Sequence, residues 1–140
     1  MKVQIKRTHS DAVLPSYAYS GDAGLDIFSC VDAEISAGEK EIIPTGLTIA
    51  VPAGHVGFVW DKSGIASKHH IKTMAGVLDS NYRGELKVVL TNLGRETYKI
   101  EKGQKIAQLV IQPYIQADIE EVGELDDTER GDAGFGSSGI

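Results

Sequence analysis

Apolar and polar positions alternate along this chain in short blocks, and glycine and proline punctuate the blocks at near-regular intervals. Lys2-Val-Gln-Ile-Lys6, Ala33-Glu-Ile-Ser36 and Thr48–Val51 each follow a period of two, as a strand with one buried face requires. Leu47–Val51, His55–Trp60, Glu85–Leu90 and Gln104–Gln112 are rich in β-branched or aliphatic residues, which favour extended backbone. Turn chemistry falls at Ala37-Gly38-Glu39-Lys40, Pro44-Thr-Gly46, Pro52-Ala-Gly54, Asn92-Leu-Gly94 and Glu101-Lys-Gly103. The only helical stretch is one or two turns after Ser63, through Ile65-Ala66-Ser67-Lys68, with Ser63 suited to cap it. Many short strands at such spacing predict an all-β fold, a jelly-roll-like distorted β-barrel with at most one short helix.

Length and charge narrow this picture. A chain of 140 residues forms one domain with a real core. Residues 1–119 are expected to make the barrel. Glu120–Glu129 is acidic and broken by glycine, so residues 120–140 read as a solvated connector and a mobile C-terminal tail. At roughly 3.3 Å per residue such a connector can carry the tail to a neighbouring subunit. The net charge of −6 argues against non-specific binding to nucleic acid or membranes. No apolar run is long enough to span a bilayer, and Met1-Lys2-Val3-Gln4 does not start a signal peptide. The lone Cys30 excludes an internal disulfide and fits a reducing cytoplasm, where it most simply serves as a small buried hydrophobe.

Five segments carry candidate chemistry. In Arg130-Gly-Asp-Ala-Gly-Phe-Gly-Ser-Ser-Gly139, glycines let backbone amides approach an anion, the serines add donors, and Arg130 offers a phosphate fork. Phe135 can stack on a flat base. On composition alone, a flexible glycine/serine tail accounts for the same segment. In Gly76-Val-Leu-Asp79-Ser-Asn-Tyr82-Arg-Gly84-Glu85 the polar tip predicts a tight β-hairpin. Asp79 is there either a turn former or a general base beside a pocket walled by Tyr82. Lys62-Ser63-Gly64 opens the helix, where backbone N–H groups favour anions. Lys102–Leu109 reads as a turn and a buried strand, and Asp26 in Ala23-Gly-Leu-Asp26-Ile27 as a carboxylate after a glycine turn. The adjacent His69 and His70 would diverge on a strand, and with His9 and His55 they lack zinc-like spacing. Phe58 and Trp60 read as core or interface residues.

Taken in order, these five segments resemble the five motifs of the homotrimeric dUTPases, from Lys2 to Gly139. The resemblance implies hydrolysis of dUTP to dUMP and pyrophosphate by water attack on the α-phosphate, which limits uracil incorporation into DNA and supplies dUMP for thymidylate synthesis. It implies that Asp79 orients and activates the water. Gly76, Val77, Leu78 and Lys87 match positions around uracil and deoxyribose, and Tyr82 the ring that excludes a 2′-hydroxyl. Lys62, Ser63, Gly64 and Gln108 match phosphate contacts. Phe135 would stack on uracil, with Arg130, Gly136, Ser137 and Ser138 around the terminal phosphates. Mg²⁺ is implied as cofactor, held mainly by phosphates and water, with Asp26 in its outer shell. A trimer with shared sites is implied as well.

The chain departs from the family pattern at identifiable places. Lys62 replaces a usual arginine, so a bidentate fork becomes a point charge. Asp61 stands where proline is common, and Thr73 where asparagine often lies near the sugar. Asn81 replaces a frequent acid, and Ala133 and Ser138 replace glycine and threonine. A dCTP deaminase of the same fold would need a glutamate where Val89 stands, and valine cannot shuttle protons. A nucleotide-sensing regulator remains a further alternative.

Overall fold

The computed structural model describes residues 1–134. The alternating blocks become, in chain order, β1 (Gln4–Arg7), β2 (Leu25–Phe28), β3 (Ala33–Ile35), β4 (Lys40–Ala50), β5 (His55–Asp61), α1 (Ser63–His69), β6 (Ile71–Met74), β7 (Val77–Leu78), β8 (Glu85–Asn92), β9 (Tyr98–Ile100) and β10 (Lys105–Pro113). One four-stranded sheet has the order β1-β4-β8-β6, a second the order β2-β10-β5-β7, and β3 pairs with β9 in a ribbon. Every ladder is antiparallel. This is the expected jelly-roll-like fold, with the described strands forming facing sheets rather than one continuous hydrogen-bonded ring.

Period-two alternation places the core. Ile43, Leu47, Ile49, Val88 and Leu90 of the first sheet pack with Ile27, Val59 and Leu109 of the second, and Ile35 and Ile100 of the ribbon join the same cluster. Burying each such side chain contributes roughly 1.5–3 kcal/mol. Cys30 is buried too, and burial, with smaller contributions from Glu85 and Asp11, raises its thiol pKa. That keeps it in the inert form.

Four local expectations are corrected. Pro44-Thr45-Gly46 is not a turn between strands; β4 runs through it, and the β4–β8 register shifts between Pro44 and Thr48. Gly46 has φ +66°, and a Cβ there would lie 2.7 Å from that of His9. The bulge is pinned by the Thr45 hydroxyl, which donates to the Leu86 carbonyl at 2.6 Å, and by the Gly46 amide, which donates to Glu85 at 2.8 Å. Glycine-dependent bulges in a strand look like turns in sequence.

Second, Lys62 rather than Ser63 occupies the helix cap, with no side-chain cap bond. Third, His69 and His70 lie at the helix end instead of on a strand: His69 closes α1 and His70 takes the left-handed cap at φ 58°. Fourth, the turn from Asp79 to Tyr82, closed by the Tyr82 amide donating to the Asp79 carbonyl at 3.1 Å, joins strands of different sheets. β7 pairs with β5, whereas β8 pairs with β4 and β6. The expected hairpin is thus a crossover between layers. Of the two readings for Phe58 and Trp60, core or interface, the core is excluded: neither belongs to the core cluster, and Trp60 is 54% exposed.

Candidate active site

Two of the five segments meet a third across the outer face of the second sheet. Asp26 on β2 opposes Gln108 on β10, and Gln108 opposes Trp60 on β5. Cross-strand partners share a face, so these three form a row. With Lys62 and Gly24 they line a cavity of about 370 Å³. Gly24 is needed for the approach, because a Cβ there would come within 2.2 Å of the Gln108 side-chain oxygen.

Asp26 is only 2% exposed. The Lys62 ammonium donates to its Oδ1 at 2.5 Å, and Lys105 pairs with Oδ2 at 2.8 Å. Burial pushes the Asp26 pKa up, yet Lys105 and Lys62 together outweigh it and hold the carboxyl below its ordinary value. With Asp22 also lining the cavity, the two acids and the two lysines balance in charge.

The remaining predicted groups gather elsewhere. Gly76, Val77, Leu78, Asp79, Tyr82 and Lys87 line a second cavity of about 240 Å³, together with Met74, Glu85 and Val89. β7 is an edge strand, so its outward N–H and C=O groups are open to a planar ligand. Gly76 makes this possible. Its carbonyl accepts from the Val59 amide at 2.8 Å, its φ is +118°, and a Cβ would sit 2.7 Å from the Val59 carbonyl oxygen. Tyr82 folds back over Gly84, its hydroxyl donating to the Glu85 carbonyl at 3.3 Å. The Asp79 carboxylate is exposed beside this cavity.

No residue lines both cavities, but a third cavity of about 220 Å³ shares Trp60 with the first and Val59, Ala75, Gly76 and Val77 with the second. Ser63 and Gly64 lie exposed at the start of α1 and line neither. Thr73 lines neither of these two but the third, with Trp60, Gly76 and Val77; it is buried, and its hydroxyl donates to Asp61. Arg130 bonds within its own turn, Nε donating to the Ala133 carbonyl at 2.9 Å. Phe135, Gly136, Ser137 and Ser138 lie outside the described residues.

Sequence reasoning missed Lys105 as the second partner of Asp26, because a lysine opening a buried strand reads as solvent-facing. It also passed over Asp61 as a bonding group, though a carboxylate ending an apolar strand just before Lys62-Ser63-Gly64 was a visible signal. Among the described residues no group of three or more His, Cys, Asp or Glu is placed to hold a metal. Asp26 anchors Lys62 through Oδ1, while its buried Oδ2 is paired with Lys105 by charge and accepts no hydrogen bond.

A family model for dUTPase matches residues 10–139. The deoxyuridine 5'-triphosphate nucleotidohydrolase of Clostridium kluyveri is 48% identical over 141 residues, covering 99% of both chains. That of Gloeothece citriformis is 42% identical, covering 100% of this chain and 98% of its own. Among solved structures, a glycine-to-serine variant of the dUTPase of Staphylococcus bacteriophage 80alpha with dUpNHpp superimposes with a TM-score of 0.94, at 31% identity over 99% of each chain. The phage phi11 enzyme of S. aureus, described with a structural Mg(II) ion, reaches 0.84 at 28% identity, covering 89% of this chain and 98% of its own. Motif order, fold and full-length similarity agree: the chain belongs to the dUTPase family.

Proposed function

We propose that this chain hydrolyses dUTP to dUMP and pyrophosphate in a trimer whose active sites are shared between subunits. The observation that carries the proposal is the gathering of the motif residues at two cavities, Asp26, Lys62 and Gln108 at one and Gly76–Asp79, Tyr82 and Lys87 at the other, with Ser63 and Gly64 exposed outside both. A single nucleotide needs both sets, and a second chain can supply the missing half. An apolar row supports assembly. Ile42, Val89 and Met74 are cross-strand neighbours on the outer face of the first sheet, with Ile42 and Met74 about half exposed. Contiguous apolar surface of this kind marks an interface.

In this reading the outward backbone groups of β7 hold uracil, and Tyr82 packs on the deoxyribose. Lys62, Ser63, Gly64 and Gln108 take the phosphates. Asp79 accepts a proton from a water as its oxygen attacks the α-phosphorus, and pyrophosphate leaves. Arg130, Phe135, Gly136, Ser137 and Ser138 close the site from a third chain. Mg²⁺ fits as an ion brought by the triphosphate, because the described residues offer no carboxylate cluster. When bound it neutralises phosphate charge. Asp26 then acts first on Lys62 and only through water on the ion. The activity and the free Cys30 suit a cytoplasmic protein.

A deaminase reading fails on the second cavity. Its acids are Asp79 and Glu85, and Glu85 already accepts the Gly46 amide, while Val89 stands where proton transfer would require an acid. Adding dUTP should therefore release pyrophosphate, and adding dCTP should release no ammonia. Ammonia release from dCTP with no pyrophosphate from dUTP, or tight dUTP binding with no pyrophosphate, would refute the hydrolase proposal.

A further inference from the structure

Two departures of this chain from the family pattern are bonded to each other. Side chains alternate along β5, so Trp60 and Lys62 face the Asp26 cavity while Asp61 turns the other way, toward β6. Asp61 Oδ1 accepts from the Thr73 amide at 2.7 Å and from the Thr73 hydroxyl at 2.6 Å, and Oδ2 accepts from Lys72 at 2.8 Å. The backbone carbonyl of Asp61 accepts from the Gln108 side chain at 2.9 Å. A proline at position 61 could make none of the side-chain bonds.

The joint sits where it matters. β5 and β6 belong to different sheets and share no ladder. Past Asp61 the chain enters Lys62-Ser63-Gly64. Past β6 it enters Ala75 and Gly76, which have φ of 60° and 118° and line the β7 cavity. Asp61 thereby ties the start of the phosphate segment to the strand that feeds the nucleoside cavity, with Gln108 fixed to the same residue. Hydrogen bonds to a carboxylate are stronger than neutral ones, and Thr73 is 8% exposed, so its donors have little access to water as a substitute.

We infer that Asp61 is a positioning residue for the triphosphate, holding Lys62–Gly64 and Gln108 in register through its bonds to Thr73. This rests on the assignment of Lys62–Gly64 and Gln108 to the phosphates. The test compares the dUTP KM and kcat with the affinity for deoxyuridine, which has no phosphates. Asp61→Ala should raise the dUTP KM about tenfold, equivalent to ~1.4 kcal/mol, with deoxyuridine affinity within about twofold of the parent. Asp61→Asn keeps an acceptor for Thr73 and should stay within about threefold. Thr73→Val loses only the hydroxyl bond and should raise KM by about threefold. An unchanged dUTP KM in Asp61→Ala, or an equal loss of deoxyuridine affinity, would overturn the role. If Asp61→Ala does not fold, Thr73→Val decides by the same two criteria. Ser63→Ala, measured alongside, separates the two layers. An unchanged KM there removes the phosphate assignment and the inference with it, whereas a raised KM there with a normal one in Asp61→Ala removes the positioning role alone.

Discussion

Asp79 sits at the start of the turn that carries the chain from β7 to β8, exposed beside the cavity that also holds Tyr82 and Lys87. Asp79→Asn preserves the shape and removes the base. It should leave binding of a non-hydrolysable dUTP analogue within a few-fold while lowering kcat by about 10²–10⁴-fold, as measured by pyrophosphate release. Retention of more than about a tenth of parental kcat would place the base elsewhere. Asp79 was legible in sequence because its neighbours announced a turn and a pocket wall. Asp26 was half legible: its position was clear, but its burial between Lys62 and Lys105 was not. Such pairing depends on β2 and β10 lying side by side, and no local pattern encodes that adjacency.

At the scale of elements, strand positions followed directly from alternation, and errors fell where backbone geometry departs from a plain strand or turn. The Pro44–Gly46 bulge uses turn-forming residues inside a strand, and the turn after β7 joins strands of different sheets. Which strands pair is decided by core packing between layers, invisible in a window of ten residues. Gly76 is the most exacting of these positions. Gly76→Ala would force a Cβ against the Val59 carbonyl in a backbone region that L-residues avoid. Such strain costs of order 1–3 kcal/mol, so a lower melting temperature is expected. Since the shift falls on β7, uracil-dependent binding should weaken as well. Parental stability and affinity in the Gly76→Ala variant would show that β7 tolerates displacement and does not hold the base.

The whole molecule adds a pH response and a division of labour. Asp26 and Asp61 are both held below the ordinary carboxylate value of 3.8, against the opposing effect of burial, by Lys105 and Lys62 in one case and by Lys72 and Thr73 in the other. A depressed folded pKa means the unfolded chain binds more protons in acid. Their stabilisation is complete above the ordinary value and is lost as pH falls from there through the lower folded values. Urea denaturation should show the contribution of these groups constant with pH near neutrality and falling below about pH 4. Asp61→Asn should show a shallower acid decline than the parent, and an identical decline would contradict the Asp61 contribution.

The C-terminal segment completes the division. Ile115, Ile119 and Leu125 are almost fully exposed, so residues beyond β10 give the core little. Truncation after Glu129 should preserve the melting temperature and cut activity severely, because Arg130, Phe135 and the serines leave together. Mixing Asp79→Asn chains with chains truncated after Glu129, under conditions of subunit exchange, tests the shared site most directly. Each parent is expected to be nearly inactive, while mixed trimers should regain pyrophosphate release at sites joining an intact Asp79 to another chain's intact tail. Mixed trimers that form yet stay as inactive as their parents would contradict a site built across subunits.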